Sequence, residues 1–495
     1  MKKLLIICLY ALGMVSCRKF LEEYSETDLT PRRTADFGEI LFADGYPDNQ
    51  SVIHPWLVFL DDDSQCYVGP SVSSSLQSIL SVRNIYQWQP AFGTQTGVSG
   101  FTMNVNAWAV YYKLILGTNV VLQHLDASIG GQAEKDQIKG EAYALRAWYH
   151  FMLVNLYARP YNDSTAAPDQ SPGVPIRITA DLTDDYMQRN TVQEVYARIT
   201  RDLDSAILYL GKSRQRNNVF RISDLAAHLL ASRVYLYMED WNNCIRHADA
   251  VLREHPQLMQ YAQWGSEPPT KDKMLIGPDN VESIWCYGKI TEHFPPGYGY
   301  TFELSHGLVN SFEAEDLRKK VGIVVIPPFL KPYVAVEYQQ LKVLGDVANA
   351  GLQPSNSWRS AEAYLNRAEA YIQLYAKGDA SAAAQALKSL NTLRETRIGN
   401  SAYQPWTTMP ANVLLDKCRE ERRRELYLEG HRWFDLRRYG MPTIRHEYTP
   451  DLSTVEYYTL RKRDPQYVIP IPEEVHQRNP ALQRNNAMSG LRQPD

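Results

Sequence analysis

The sequence predicts a mostly α fold in which tetratricopeptide-like helix pairs pack against a loop-rich, aromatic insertion. Three observations predict it. Apolar residues recur at three-, four- and seven-residue steps in successive paired segments, which is the period of an amphipathic helix. Alanines stand beside aromatics where paired helices would cross, as in Arg221–Tyr237 and Glu362–Tyr371. Between Pro256 and Trp358, proline and glycine come too densely for any long helix.

Residues 1–16 read as a leader. Lys2 and Lys3 precede an apolar run from Leu4 to Met14, and Val15-Ser16 supplies small residues before Cys17. The run is too brief to span a bilayer comfortably. A cysteine directly after the small pair is the arrangement of a bacterial lipobox, so Cys17 is the expected lipidation site and first mature residue. Residues 17–55 are polar and turn-rich, a lipidated N-terminus and tether. Residues 56–103 form a loop-rich segment carrying Trp56, Tyr67, Tyr86, Trp88 and Phe92.

Helical repeats are expected over 104–255. Trp108, Tyr111, Tyr112, Ile115 and Leu122 make one stripe, and Gly130-Gly131 interrupts it. Ile138, Ala142, Leu145, Tyr149, Leu153 and Leu156 make the second, which Pro160 closes. The pairing returns in 192–210 with 222–238, and again in 240–254. Residues 256–357 are the aromatic insertion, with Trp285, Tyr287, Phe294, Tyr298 and Tyr300. It is too long to be a mere connector, and long loops usually carry function. Repeats resume in 358–440, notably 359–376 and 380–397, before a loop-rich end at 441–495. No helix pair can hide its apolar stripe alone, so stacked neighbours would share one core.

Composition narrows the function. The formal charge is −4 over 495 residues, and removing the leader with its two lysines makes it −6. That balance argues against a nucleic-acid partner. Cys66, Cys244, Cys286 and Cys418 show no paired spacing, which leaves a single bridge or, preferably, four buried free thiols. No His-Glu-x-x-His pair or Gly-x-Ser-x-Gly elbow occurs, so no catalytic or metal residue is assigned. Asp61-Asp62-Asp63 could hold a structural calcium, but the remaining spacing of a calcium loop is missing, and a solvated loop is preferred. In Arg424–Arg438, Glu425, Glu429, Arg432 and Asp435 fall at helical steps; Glu425 and Glu429 could each pair with Arg432 as structural ion pairs. Trp108, Trp148 and Trp433 lie on helix stripes and are assigned to packing.

A set of ordered motifs gives the chain a family likeness. Cys17-Arg-Lys-Phe-Leu-Glu is followed by Trp108 through Asn119, by Gly140-Glu-Ala-Tyr-Ala-Leu-Arg-Ala-Trp-Tyr-His-Phe and by Gly173-Val-Pro-Ile. Asn366-Arg-Ala-Glu-Ala-Tyr, Asn391-Thr-Leu-Arg-Glu, the stretch Arg424–Gly440, Ile469-Pro-Ile-Pro and Asn479-Pro complete it. In this order and at these gaps, the chain resembles the SusD/RagB family of outer-membrane nutrient-binding lipoproteins over nearly its whole length. The resemblance implies four tetratricopeptide units in a right-handed superhelix, packed against a loop-rich part that holds the ligand. It also implies a partner, a SusC-like TonB-dependent barrel transporter that the lipoprotein would cover like a hinged lid. Capture and handover would then be population shifts driven by differential binding.

A pyranose packs its C–H face on the electron-rich face of an aromatic ring. The family tends to hold its ligand between the early loop segment and the large insertion. The ligand-binding candidates are therefore Tyr86, Trp88, Trp285, Tyr287, Phe294, Tyr298 and Tyr300. The expected function is capture of an oligosaccharide or polysaccharide at the outer face of the outer membrane for polysaccharide utilisation, with no cofactor. The alternatives are a repeat scaffold for envelope protein assembly and a secreted glycan-cleaving enzyme, for which the sequence offers no positive sign.

Overall fold

The computed structural model describes residues 31–47, 53–54, 56–66, 79–90, 106–181, 183, 185–265, 274–288, 302–327, 337–342, 354, 356–399, 401–451, 454–486, 488 and 490–495. Cys17, Phe294, Tyr298 and Tyr300 lie outside them.

Eight helices of fourteen or more residues, taken in chain order as four pairs, make the frame among these residues. α1 (Ala107–His124) starts where the Asn106 side chain accepts a hydrogen bond from the Ala109 amide, and it packs on α2 (Gln132–Tyr157). α3 (Val192–Ser213) opens on a reciprocal capping box between Thr191 and Glu194 and leads to α4 (Asp224–Tyr237), capped by Ser223. α5 (Trp241–Glu254), capped by Asp240, packs on α6 (Ser360–Ala376) although more than a hundred residues separate them in sequence. The aromatic insertion is therefore spliced between the two helices of the third pair. α7 (Ala382–Glu395) and α8 (Ala411–Leu426) are the fourth in chain order, and each packs on α6. The predicted stripes are buried: Tyr111, Ile115, Ala142, Leu145, Tyr149, Leu153, Ile199, Leu203 and Leu229 are each at most 1 % exposed.

Two motif glycines explain themselves as close approaches. A Cβ on Gly140 of α2 would stand 2.6 Å from the Leu210 side chain of α3. One on Gly117 of α1 would stand 2.2 Å from the carbonyl oxygen of Asp44. The second contact corrects the expected tether. Within it Thr34–Ile40 is a helix that continues through one wider turn, Leu41–Gly45, and buries Phe37 and Leu41 against α1 and α2. This short apolar run stands among charged and turn-forming residues on both sides, which is why the whole stretch reads as polar.

The described parts of the loop-rich segments contain short antiparallel strand pairs rather than one sheet. β1 (Ser64–Cys66) pairs with β3 (Phe302–Leu304), joining the early loop segment to the insertion. β2 (Ser283–Tyr287) pairs with β6 (Asn356–Arg359), which runs directly into α6. β4 (Ile323–Val325) pairs with β5 (Tyr338–Gln340), and β7 (Ile444–Tyr448) with β8 (Glu456–Leu460) in the C-terminal segment. Cys66, Cys244, Cys286 and Cys418 are buried and stand outside any disulfide; burial pushes the Cys66 and Cys244 thiols up to about 12.

Candidate functional site

The strand pair β2–β6 ends at the seam between repeats and insertion, and four aromatics meet there. Trp285 on β2 meets Trp148 of α2 edge-on at 5.1 Å and Trp358 of β6 edge-on at 4.7 Å. Its face stacks on Tyr287 at 4.4 Å, 22° from parallel. Edge-to-face and offset arrangements place the positive ring edge on a negative face, each pair contributing about 0.5–1.5 kcal/mol beyond burial. Trp285 is fully buried, so it forms the floor of the seam and offers no ring face to a ligand. Tyr287 is half-buried and stands where β2 leaves the core toward residues 289–301. Trp148 and Trp358 complete the node, and the helix stripe of α2 had already placed Trp148 in the core.

Tyr86 and Trp88 are likewise core residues rather than ligand platforms. The Tyr86 hydroxyl accepts from the Cys66 amide at 3.0 Å, and its ring packs between Phe302 and His446. Trp88, at a left-handed φ of 50°, donates its indole N–H to the Leu60 carbonyl at 3.0 Å. Short strands and turns have no amphipathic stripe with which to build a core. Large aromatics supply the buried area instead, and their faces are used up in doing so.

The charged motifs prove structural as well. Glu425 of α8 accepts from Arg318 at 3.0 Å, from Arg359 at 2.9 Å and from Arg397 at 2.8 Å. Glu282 accepts from Arg359 and Arg397, both at 2.6 Å, and Glu429 from Arg359 and Lys342. All of these groups are buried. Glu425 and Glu429 thus pair through space with Arg318 and Lys342 of the insertion, with Arg359 of β6 and with Arg397 just after α7, not with Arg432 along their own stretch as the spacing suggested. Burial by itself would raise the Glu425 carboxyl; Arg397 and Arg359 outweigh it and hold the group well below the usual range. A carboxylate so held donates no proton at neutral pH. Its use is mechanical: it clamps the insertion to the fourth helix pair.

Arg432 turns instead to the acidic triplet, donating to Asp62 at 2.7 and 2.9 Å, while Arg423 donates to Asp63 at 2.6 Å. The triplet is thus a largely buried ion-pair cluster and not the solvated loop expected. Burial opposes ionisation of Asp62, yet Arg432 and Arg423 bring it down to about 2. Burial pushes Asp61 well up, with Asp63 and Asp62 beside it acting in the same direction. Among the described residues no group of three His, Cys, Asp or Glu side chains is arranged to hold a metal. The remaining motif polar groups have the same office: Asn119 and Asp202 both bind Arg146, and Asn366 accepts from Arg422.

Helix pairs packed against a spliced-in loop-rich part, and joined to it by a buried ionic clamp, define a helical-repeat scaffold. The chain belongs to the SusD family. One family model, described as starch-binding and associating with the outer membrane, matches residues 19–236, and the SusD family model matches 348–488. The SusD-like protein P2 of Formosa agariphila is 24 % identical over 453 residues, 80 % of this chain and 84 % of the relative. A solved SusD superfamily protein from Bacteroides thetaiotaomicron aligns over 92 % of this chain and all of its own, at 21 % identity and a TM-score of 0.69. A SusD-like carbohydrate-binding protein from Bacteroides vulgatus covers 91 % of this chain and 97 % of its own, at 21 % identity and a TM-score of 0.67.

Proposed function

We propose that this chain is a surface-exposed outer-membrane lipoprotein that binds an oligosaccharide or polysaccharide and delivers it to a SusC-like TonB-dependent transporter. The observation that carries this reading is the match of two SusD family models, in chain order, to the two halves that flank the aromatic insertion. The insertion is fastened to a rigid helical frame, so loops that leave it can vary while the frame stays fixed. Tyr287 and the loop residues Phe294, Tyr298 and Tyr300 are the ring faces proposed for the glycan. No helix among the described residues is long and apolar enough to cross a membrane. In this reading the acyl chains on Cys17 hold the protein at the bilayer, since each buried methylene contributes about 0.8 kcal/mol.

Affinity electrophoresis in gels carrying starch, mannan or host glycans tests the binding half, and co-purification with a barrel transporter from solubilised outer membrane tests the delivery half. Retardation by one glycan together with a barrel in the eluate is the expected result. A chain that ignores every glycan and elutes with assembly factors would instead be an envelope scaffold.

A further inference from the structure

Two segments outside the aromatic node, 159–172 after α2 and 463–486 near the C-terminus, line a cleft of about 620 Å³ together with Arg189 and Met441. That volume lies within the range of small-molecule sites. No aromatic ring is among its lining residues; arginines, amides and short apolar side chains make the wall.

Its charge is unbalanced. Arg159, Arg189, Arg463 and Arg484 line it against Asp163 and Asp464. The outer partners, Arg492 on Asp464 and Glu473 on Arg484, cancel one another and leave two positive charges in excess. Arg159 and Arg463 share the single carboxylate of Asp163, at 3.1 and 3.3 Å. Arg189 spends its five N–H groups on neutral acceptors, the carbonyls of Gly173 at 2.6 Å, Pro172 at 2.9 Å, Tyr157 at 3.0 Å and Gln483 at 3.2 Å and the Asn485 side chain at 2.6 Å, so it brings charge to the cleft and no spare donor. Among the described residues no carboxylate pairs with it, and burial lowers it to about 10. One further group is incomplete. Ser171 is 2 % exposed, lines the cleft, and its hydroxyl has no hydrogen-bond partner among the described residues. A buried hydroxyl left unpaired is disfavoured, and a ligand oxygen that reached it would relieve that.

We infer that this cleft is a second binding site, which takes the anionic group, carboxylate or sulfate, of an acidic saccharide. Guanidinium groups bind such oxyanions through charge-assisted hydrogen bonds. The walls lack the rings that a neutral pyranose would stack on, so charge and hydrogen bonding decide what enters. The saccharide half of the assignment rests on the proposed receptor function; the anionic half rests on the cleft alone.

Calorimetric titration of the chain with trigalacturonate, galactose 6-sulfate and the neutral galactotriose tests it. Binding of at least one acidic probe is expected, weakening with added salt and about tenfold in Arg463→Met and in Arg159→Met. The Arg159 side chain is 44 % exposed, so that variant keeps its fold should the other lose it. Heat from neither acidic probe overturns the site, as does acidic binding that both variants leave unchanged. Neutral glycan retained by a chain that gives no heat with either acidic probe would uphold the receptor reading while the cleft assignment falls. Acidic binding through the arginines by a chain that no glycan gel retards would do the reverse.

Discussion

His446 of the C-terminal hairpin stacks its imidazole on the indole of Trp88 with ring centroids 4.0 Å apart. Tyr86 stacks on the same imidazole at 4.2 Å, and the two ring nitrogens of His446 face the carbonyls of Tyr86 and Asp61 at 2.8 Å. One histidine thereby ties the early loop segment to the chain's last hundred residues. Trp88 is therefore a structural residue, and Trp88→Ala is expected to cost about 3–5 kcal/mol, the usual range for removing a buried tryptophan. Trp285→Ala, which empties the node between Trp148 and Trp358, belongs in the same range. Chemical denaturation checks both; an unchanged midpoint in either variant would remove that ring from the core.

The helices were legible in the sequence because burying one face of a helix forces a period on it. Ile138 through Leu156 announced α2, and Pro160 its end, within a few residues of what the structure shows. The fate of Trp88 and Trp285 was not legible. An aromatic in a turn-rich stretch has no period to say whether its face meets a ligand or another ring, and the partners His446 and Trp148 lie far away in sequence. The acidic triplet was misread for the same reason, since Arg423 and Arg432 come some 360 residues later. The family motifs were visible, but the buried ion pairs they serve join residues whose pairing only the fold reveals.

Arg359 binds Glu282, Glu425 and Glu429 at once, so Arg359→Met leaves three buried carboxylates short of a partner. Breaking a buried pair from one side costs about 3–5 kcal/mol. The loss is expected to concentrate in the insertion, where β6 and the Glu282 turn would open first. Hydrogen exchange checks this: protection in β2 and β6 should fall before that of α1–α3, and uniform loss would show that the clamp is not local.

Acid should destabilise the chain in two stages. Burial lowers His150 to about 4 and His247 to about 3. Their unfolded forms take protons near 6.5, so the unfolded chain binds more protons between those values and stability falls as pH drops through that window. Glu421 and Asp62 are held at about 2, burial being outweighed by arginines, chiefly Arg318 and Arg432 respectively. Their contribution is present above the unfolded carboxylate range and is lost from about pH 4.5 downward. Calorimetry from pH 7.5 to 3 should show Tm declining below 6.5 and more steeply below 4.5. A flat profile from 6.5 to 5 would mean that the buried histidines are already charged in the folded protein.

Cys17→Ala is expected to move the chain from the membrane fraction to the soluble one, because the proposed anchor is lipid alone. Fractionation followed by immunoblotting checks it, with a barrel protein as the marker for intact outer membrane. A variant that stays with the membrane would be held by the transporter or by another segment, and detergent-free washing at high salt separates those two cases.

Tyr287 offers the sharpest test of where the glycan sits. Its ring is half-buried, supported on one side by Trp285 and edged by Trp148 at 4.9 Å, so its orientation is fixed without being fully enclosed. A ring held ready pays little ordering entropy when a sugar packs on it. Tyr287→Ala is thus expected to weaken glycan retardation about tenfold, the loss matching about 1.4 kcal/mol of ring contact. Tyr287→Phe should keep most of the binding if the face is what matters, and lose it if the hydroxyl does. Both variants should melt close to wild type, in contrast to Trp285→Ala, because the floor beneath them is intact. Undiminished retardation in Tyr287→Ala would move the glycan off this seam altogether.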